Sequence, residues 1–158
     1  MLSKKTIKKI EEVQKKYPTK RSAVLPALHL AQEEQGYLTR EAMAQIAKML
    51  EIPPVQVYES ATFYTMYNKK PVGKFHIQVC GNLSCSLMGA DHIVEYISSK
   101  LGIAVSETSN DGKFTLSTVE CLGSCGTAPM MQINDQYYED LNENKIDEII
   151  EGLNSKNA

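Results

Sequence analysis

All four cysteines of the chain lie between Val79 and Pro129, in two short loops rich in glycine and serine. The first loop is Cys80-Gly-Asn-Leu-Ser-Cys85, with four residues between its thiols, and the second is Cys121-Leu-Gly-Ser-Cys125, with three. Another 35 residues separate the two loops. If the thiols serve one site, the fold has to bring these loops together, so this pattern constrains the chain more than any other feature.

The paired thiols have four interpretations. A binuclear iron–sulfur cluster takes four cysteine thiolates, two on each iron, and two paired loops meet that demand. Small residues let backbone N–H groups turn towards sulfur, and glycine permits positive φ. A structural zinc ion tolerates the same spacings, in an all-cysteine site because neither loop contains His. Disulfides suit secreted domains, and unrelated buried thiols would not gather in two loops. The spacing favours the cluster and leaves zinc open.

The spacing also separates this chain from other thiol proteins. Plant-type ferredoxins carry C-x₄-C-x₂-C and bacterial ones C-x₂-C-x₂-C, and neither run is present. The chain contains no C-x-x-C either, so a thioredoxin-type dithiol mechanism is not expected.

The distribution of charge and apolar residues predicts a cytoplasmic protein. The sequence has no run of 18 apolar residues, and its Lys-rich start lacks the apolar segment of a secretory signal.

The charge is unevenly distributed along the chain. Residues 1–21 hold eight Lys or Arg and two Glu, and residues 135–158 hold seven Asp or Glu and two Lys. We interpret the basic segment as a solvated helix face or a patch for an acidic protein, in preference to a nucleic-acid or lipid site.

The first seventy residues carry helical periodicity and predict a helical domain over residues 1–72. The predicted helices are residues 3–17, about 22–35, 40–50 and a fourth from about 54 to the aromatic stretch 63–67. Ser22 and Thr39 are predicted N-caps, and Gly36 a stop. The aromatic residues are expected to be core anchors, with a partner-binding patch as the alternative for the set.

From residue 73 the pattern changes to alternation, which predicts a second domain over residues 73–158. The predicted elements are a strand at 75–80, one helix with Leu87, Ala90, Val94, Ile97 and Leu101 on its inner face, a short strand at 103–105, strands at 114–119, 130–133 and 136–138, and a last helix around 146–153. Both thiol loops follow strands, so they are expected to meet at one end of a small mixed sheet in an α+β fold.

These motifs resemble a known family, the thioredoxin-like [2Fe–2S] subunits of NADH dehydrogenases, which are the E-type subunits of NADH-quinone oxidoreductases such as complex I. Beside the two cysteine pairs, the resemblance rests on Ala61-Thr-Phe-Tyr64, Met88-Gly89, Cys121-Leu-Gly123 and Ala128-Pro129. It implies an N-terminal helical bundle followed by a thioredoxin-like mixed-sheet domain. It also implies one [2Fe–2S] cluster with Cys80, Cys85, Cys121 and Cys125 as its ligands.

The resemblance implies partners as well: a flavoprotein subunit that binds NADH and FMN, and further iron–sulfur subunits in the peripheral arm of a membrane-associated complex. The sequence is consistent with that need, because it lacks both G-x-G-x-x-G and the P-loop motif. NADH delivers two electrons as hydride whereas a cluster takes one, so a flavin on another chain has to stand between them. No side chain here is expected to be catalytic, and the isolated chain is not expected to turn over alone.

The expected function is therefore that of an electron-transfer subunit of NADH:quinone oxidoreductase. The motifs do not separate this from the equivalent subunit of an NAD(P)-linked hydrogenase or formate dehydrogenase. A structural zinc-binding interaction module is the alternative from a different class.

Overall fold

The computed structural model describes residues 1–155. The last three residues of the predicted 73–158 domain lie outside the described residues. Internal contacts divide the chain into two compact units, Met1–Pro71 and Val72–Ala158, and each unit has a hydrophobic core of its own.

The first unit is built from four helices, and each of them contributes to its core. They are α1 (Lys4–Gln14), α2 (Val24–Gln35), α3 (Arg40–Leu50) and α4 (Pro54–Phe63), with a single 3₁₀ turn at Arg21–Ala23. Ile10, Leu28, Ile46 and Val57, one from each helix, are fully buried. The helical bundle predicted for this part of the chain is confirmed.

The helix boundaries follow the capping residues, with one exception. Thr39 caps α3 by accepting a hydrogen bond from the N–H of Ala42, and Gly36 ends α2 in the left-handed conformation with φ 78°. The prediction that Ser22 caps α2 is wrong. Ser22 lies within the 3₁₀ turn, where its N–H donates to the Thr19 hydroxyl, and Ala23 occupies the N-cap position of α2 without a side-chain hydrogen bond.

The aromatic stretch at the end of α4 divides between core and surface. Tyr67 is fully buried, and its hydroxyl donates to the Leu25 carbonyl at 2.8 Å. Phe63, by contrast, is 78% exposed, and Tyr64 lies on the surface beside it. The prediction of core anchors is therefore right for Tyr67 and wrong for Phe63.

The second unit is a four-stranded mixed sheet with helices, so the predicted α+β class is confirmed. Its elements are β1 (Phe75–Cys80), α5 (Leu83–Leu87), α6 (Ala90–Leu101), β2 (Phe114–Val119), β3 (Met131–Ile133), β4 (Gln136–Tyr138) and α7 (Glu143–Ser155). The strand order is β2-β1-β3-β4, with β1 parallel to β2 and the other pairs antiparallel. Ile77, Leu116, Ile97 and Ile146 bring the sheet, α6 and α7 into one core.

Two predicted elements of this unit are wrong. The helix after Cys85 is not continuous, because Gly89 adopts φ 92° and separates α5 from α6. Leu87, predicted on the inner face, is consequently 77% exposed. Residues 103–105 form no strand. The backbone hydrogen bonds with Leu116 are made by the next residues along the chain, Ser106 and Glu107.

The remaining turns follow their sequence signals. Asn134, the first of the two residues that connect β3 to β4, has φ 53°, in the left-handed region that Asn tolerates better than most residues. Gly112 takes φ 70° in the turn that leads into β2. None of the helices within residues 1–155 combines the length and the apolar character needed to cross a bilayer.

Candidate functional site

The two thiol loops meet because β1 and β2 are parallel and end at the same edge of the sheet. Cys80, the last residue of β1, is aligned with Val119, the last residue of β2. The N–H of Gly81 continues the ladder by donating to the Val119 carbonyl at 2.8 Å. The chain leaves the sheet at both points, so the first loop begins beside the second.

The first thiol pair is buried. Cys80 and Cys85 are 3% and 2% exposed, and both belong to the core of the second unit. Asn82 accepts a hydrogen bond from the Leu83 N–H at 2.9 Å at the start of α5, and that short helix contains Cys85. The N–H of Cys80 donates to the Met130 carbonyl, which ties the loop to the segment preceding β3.

The second thiol pair is exposed. Cys121 and Cys125 lie at the surface, and Cys125 opens a 3₁₀ turn that ends at Thr127. Between them, Gly123 adopts φ 78°, and its N–H donates to the Cys121 sulfur at 3.4 Å. The left-handed conformation of Gly123, which glycine adopts without strain, thus accompanies the hydrogen bond from its N–H to the Cys121 sulfur.

The four sulfur atoms act on one another. Burial alone would raise the pKa of the Cys80 thiol, but the N–H groups of Asn82 and Leu122 and the thiols of Cys85 and Cys121 outweigh it and lower the pKa. Burial raises the pKa of the Cys85 thiol, and so do its hydrogen bond with Cys80 and the charges of Cys80 and Cys125. Thiols of the two loops therefore lie close enough to influence one another's pKa.

The chemistry of this donor set suits a binuclear cluster. All four cysteines are free thiols, supplied as two pairs by two loops. N–H groups of Asn82, Leu122, Gly123 and Met130 point at sulfur, as in iron–sulfur proteins, where such hydrogen bonds tune the thiolates. Within residues 1–155, no three His, Cys, Asp or Glu side chains are gathered as ligands of a single metal ion.

Three large apolar side chains near Cys85 in the sequence are exposed, and sequence reasoning missed them. Leu83, Leu87 and Met88 are 70%, 77% and 62% exposed, although they flank Cys85 in a loop that is otherwise small and polar. The signal was present in the sequence as Gly89 inside a helical pattern, which marks a break and turns the preceding residues outwards. Exposed apolar residues grouped beside a redox site are typical of a surface that contacts another protein.

Comparison with known proteins finds relatives along almost the whole chain. The family model for the thioredoxin-like [2Fe-2S] ferredoxin matches residues 10–154. The E subunit of the NADH-quinone oxidoreductase of Rickettsia prowazekii is 52% identical over 151 residues, which cover 94% of this chain and 85% of that protein. The second E subunit of the same enzyme in Rhizobium meliloti is 44% identical over 144 residues, covering 91% of this chain and 86% of that protein.

Solved structures agree on the fold. An NAD⁺-reducing [NiFe]-hydrogenase in its air-oxidized state superposes with a TM-score of 0.73 at 22% identity. The superposition covers 84% of this chain but 23% of the hydrogenase chain, so this chain corresponds to under a quarter of that protein.

The fold and the four-thiol site define an iron–sulfur protein with a thioredoxin-like domain. The chain belongs to the thioredoxin-like [2Fe-2S] ferredoxin family. The predicted family, the thioredoxin-like fold and the [2Fe–2S] cofactor are thereby confirmed. That Cys80, Cys85, Cys121 and Cys125 are its ligands stays a prediction, which the adjacent ends of β1 and β2 support.

Proposed function

We propose that this chain is the E-type electron-transfer subunit of an NADH:quinone oxidoreductase, in which Cys80, Cys85, Cys121 and Cys125 hold one [2Fe–2S] cluster. The observation that carries the proposal is the convergence of two thiol loops at the shared end of the parallel strands β1 and β2. Relatives named as E subunits of this enzyme, at 44% and 52% identity over almost the whole chain, support it.

A bound [2Fe–2S] cluster takes up and releases one electron at a time. The protein supplies position and environment. Cys80 and Cys85 would hold the cluster from within the core, and Cys121 and Cys125 would hold it from the surface. The N–H groups of Asn82 and Leu122, which point at Cys80, stabilise negative charge on its sulfur.

The proposal includes a flavoprotein partner that binds NADH and FMN and exchanges single electrons with this cluster, together with further iron–sulfur subunits. Two features support such a partner: the absence of nucleotide-binding motifs from the sequence, and the exposed apolar residues Leu83, Leu87 and Met88 beside the site. We propose that the assembled protein lies in the peripheral arm of a membrane-associated complex, on its cytoplasmic side.

Electron exchange with the flavoprotein is the direct test of this function. The full chain and the flavoprotein partner are mixed anaerobically, with NADH added to the oxidised cluster or NAD⁺ to the reduced one. In at least one direction, the EPR signal of the cluster is expected to change when the flavoprotein is present and to stay constant without it. Exchange in neither direction, or exchange with the nucleotide without flavoprotein, would contradict the proposal.

The ligands are tested one at a time. Replacing Cys80, Cys85, Cys121 or Cys125 with Ala removes a thiolate, so each variant is expected to lose the cluster or to alter its EPR and visible spectra. Ser84→Ala, between the thiols of the first loop, is the matched control and is expected to keep the wild-type spectrum. Any cysteine whose variant retains a full, unchanged cluster is not a ligand.

The parent complex is identified by the proteins that copurify with the tagged chain. A quinone-linked set of subunits is expected, whereas a hydrogenase or molybdenum subunit would favour the alternative assemblies. We also propose that the chain consists of two domains, 1–72 and 73–158, next to the division of internal contacts at Pro71.

A further inference from the structure

Residues of β4 and directly after it contact the second thiol loop at both of its ends. Tyr137 lies in β4 and Glu139 directly follows it, so their side chains are two residues apart in extended chain and project from the same side. The Tyr137 hydroxyl donates to the Leu122 carbonyl at 2.9 Å. Leu122 follows Cys121, so this contact holds the beginning of the loop.

Glu139 contacts the other end of the loop. The hydroxyls of Ser124 and Thr127 both donate to the same oxygen, Oε1, of the Glu139 carboxylate, Thr127 at 2.7 Å. The two hydroxyls are also 2.9 Å from each other, and the Thr127 N–H donates to the Ser124 carbonyl. Ser124 precedes Cys125 and Thr127 lies two residues after it, so the carboxylate binds both sides of the turn that presents this thiol.

The backbone around Glu139 is itself held in place. The N–H of Asp140 donates to the Thr127 carbonyl at 2.8 Å, and the N–H of Leu141 donates to the Pro129 carbonyl at 3.0 Å. The Lys145 ammonium at the start of α7 donates to the Glu139 carbonyl at 2.6 Å. These contacts tie the backbone of residues 139–141 to Thr127, Pro129 and the first turn of α7, so the carboxylate projects from a fixed backbone.

The second thiol pair depends on such contacts more than the first. Cys80 and Cys85 are held by packing in the core, whereas Cys121 and Cys125 are exposed. An exposed loop has little packing to restrict it, so hydrogen bonds have to set its shape. The contacts from Tyr137 and Glu139 are therefore placed where the site lacks packing.

We propose that Tyr137 and Glu139 form a clamp that fixes the spacing of Cys121 and Cys125, and that Glu139 is the main positioning residue of the exposed thiol pair. The inference rests on the proposed function, because it takes these two thiols as cluster ligands. Neither residue touches the reacting atoms. Their effect is to keep the loop in the shape that holds iron.

The first test measures iron release from the full chain carrying its cluster, under argon with a chelator. Glu139→Ala removes the acceptor of two hydrogen bonds to a charged group and is expected to release iron roughly tenfold faster or more. Glu139→Gln keeps an acceptor oxygen and is expected to restore release to near the wild-type rate. Tyr137→Phe removes one hydrogen bond between neutral groups, so its rate of iron release is expected to lie between those of Glu139→Ala and Glu139→Gln. Glu148→Ala, an exposed carboxylate on α7, is the matched control and should behave as wild type.

The second test needs no iron. In the chain stripped of its cluster, hydrogen exchange at the amides of residues 125–128 reports the closed turn directly. Glu139→Ala is expected to speed this exchange, and Glu148→Ala is not. If Glu139→Ala does not fold, Ser124→Ala breaks the same contact from the loop side and is expected to give the same pattern with a smaller effect.

The two proposals fail in distinguishable ways. Wild-type protein that holds no [2Fe–2S] cluster would overturn the proposed function, while the exchange measurement would still test the clamp. Wild-type protein with a normal cluster, together with a Glu139→Ala variant that matches it in iron release, in EPR g-values and in amide exchange, would overturn the clamp alone. Equal losses in Glu139→Ala and Glu139→Gln would overturn the role assigned to the acceptor oxygen.

Discussion

Gly123 offers a sharp test of how the second thiol loop is built. Its φ is 78°, in the left-handed region, and an added Cβ would meet no atom within 4 Å. Gly123→Ala therefore introduces no clash, and its cost is the conformational strain of an alanine in a left-handed conformation. That strain is about 1–2 kcal/mol for an L-residue.

The strain applies to the loop shape that holds the cluster and is relieved when the loop opens. Because each 1.4 kcal/mol corresponds to a factor of ten, Gly123→Ala is expected to release iron to a chelator roughly five to thirty times faster than wild type. Gly123→Asn is expected to fall between Ala and wild type, since Asn tolerates the left-handed region better than other residues with a side chain. The assay follows the visible absorbance of the cluster under argon.

Two other glycines provide matched controls. Gly126 directly follows Cys125, and Gly152 lies in α7. Neither has a left-handed φ, and neither would place a Cβ within 4 Å of another atom. Gly126→Ala is expected to release iron at nearly the wild-type rate. Gly152→Ala, in a helix interior, should also leave release unchanged while stabilising the fold by roughly 0.5–1 kcal/mol. If Gly123→Ala released iron no faster than Gly126→Ala, the strain argument would be refuted.

Two predictions concern stability and pH. Tyr67→Phe removes a buried hydrogen bond and should cost roughly 0.5–1.5 kcal/mol in urea unfolding at neutral pH. Burial raises the pKa of Tyr67 to about 12 from an ordinary 10.0, so the stability that its neutral hydroxyl contributes is complete below pH 10 and is lost as pH rises towards 12. The Phe variant should therefore lose less stability than wild type between pH 10 and 12. An equal loss in both proteins would contradict this prediction. Burial lowers the pKa of His76 below 6.5, so its neutral form contributes stability above pH 6.5 that is lost as pH falls through the lowered pKa. In the His76→Gln variant, the urea midpoint should fall less between pH 7 and pH 5 than in wild type. An equal fall in both proteins would argue against a role for His76.

Much of the fold follows from local sequence signals. The strand at 75–80 and the strand at 114–119 are found with the predicted boundaries, because alternation and flanking turn residues identify strands well. Thr39 and Gly36 set helix ends for the same local reasons. The expectation that both thiol loops meet at one end of the sheet needed one further step, the parallel pairing of two strands joined by a helical crossover.

The wrong predictions arise where the local conformation of the backbone departs from a regular α-helix. Ser22 is a good capping residue, but a 3₁₀ turn precedes α2 and includes Ser22, whose N–H bonds to the Thr19 hydroxyl. Leu87 fits an inner helical face only if the helix continues through Gly89, whose left-handed conformation breaks it. Periodicity does not register such a break, so the exposed apolar surface beside Cys85 was missed.

The clamp around the second thiol loop could not be predicted from the sequence. Glu139 is 14 residues from Cys125, and nothing in its local pattern marks it as a partner of Ser124 and Thr127. Its position depends on the β3–β4 hairpin and on the register that this turn sets. Contacts of this kind depend on the tertiary structure, whereas the spacing of the cysteines can be read directly from the sequence.

The central claim is that this chain carries one [2Fe–2S] cluster, and metal and acid-labile sulfide analysis of anaerobically purified full-length protein tests it most directly. We expect about two irons and two sulfides per chain and a spin-half EPR signal after dithionite reduction. Stoichiometric zinc without sulfide, and no EPR signal on reduction, would contradict the claim and would leave the four thiols as a structural zinc site.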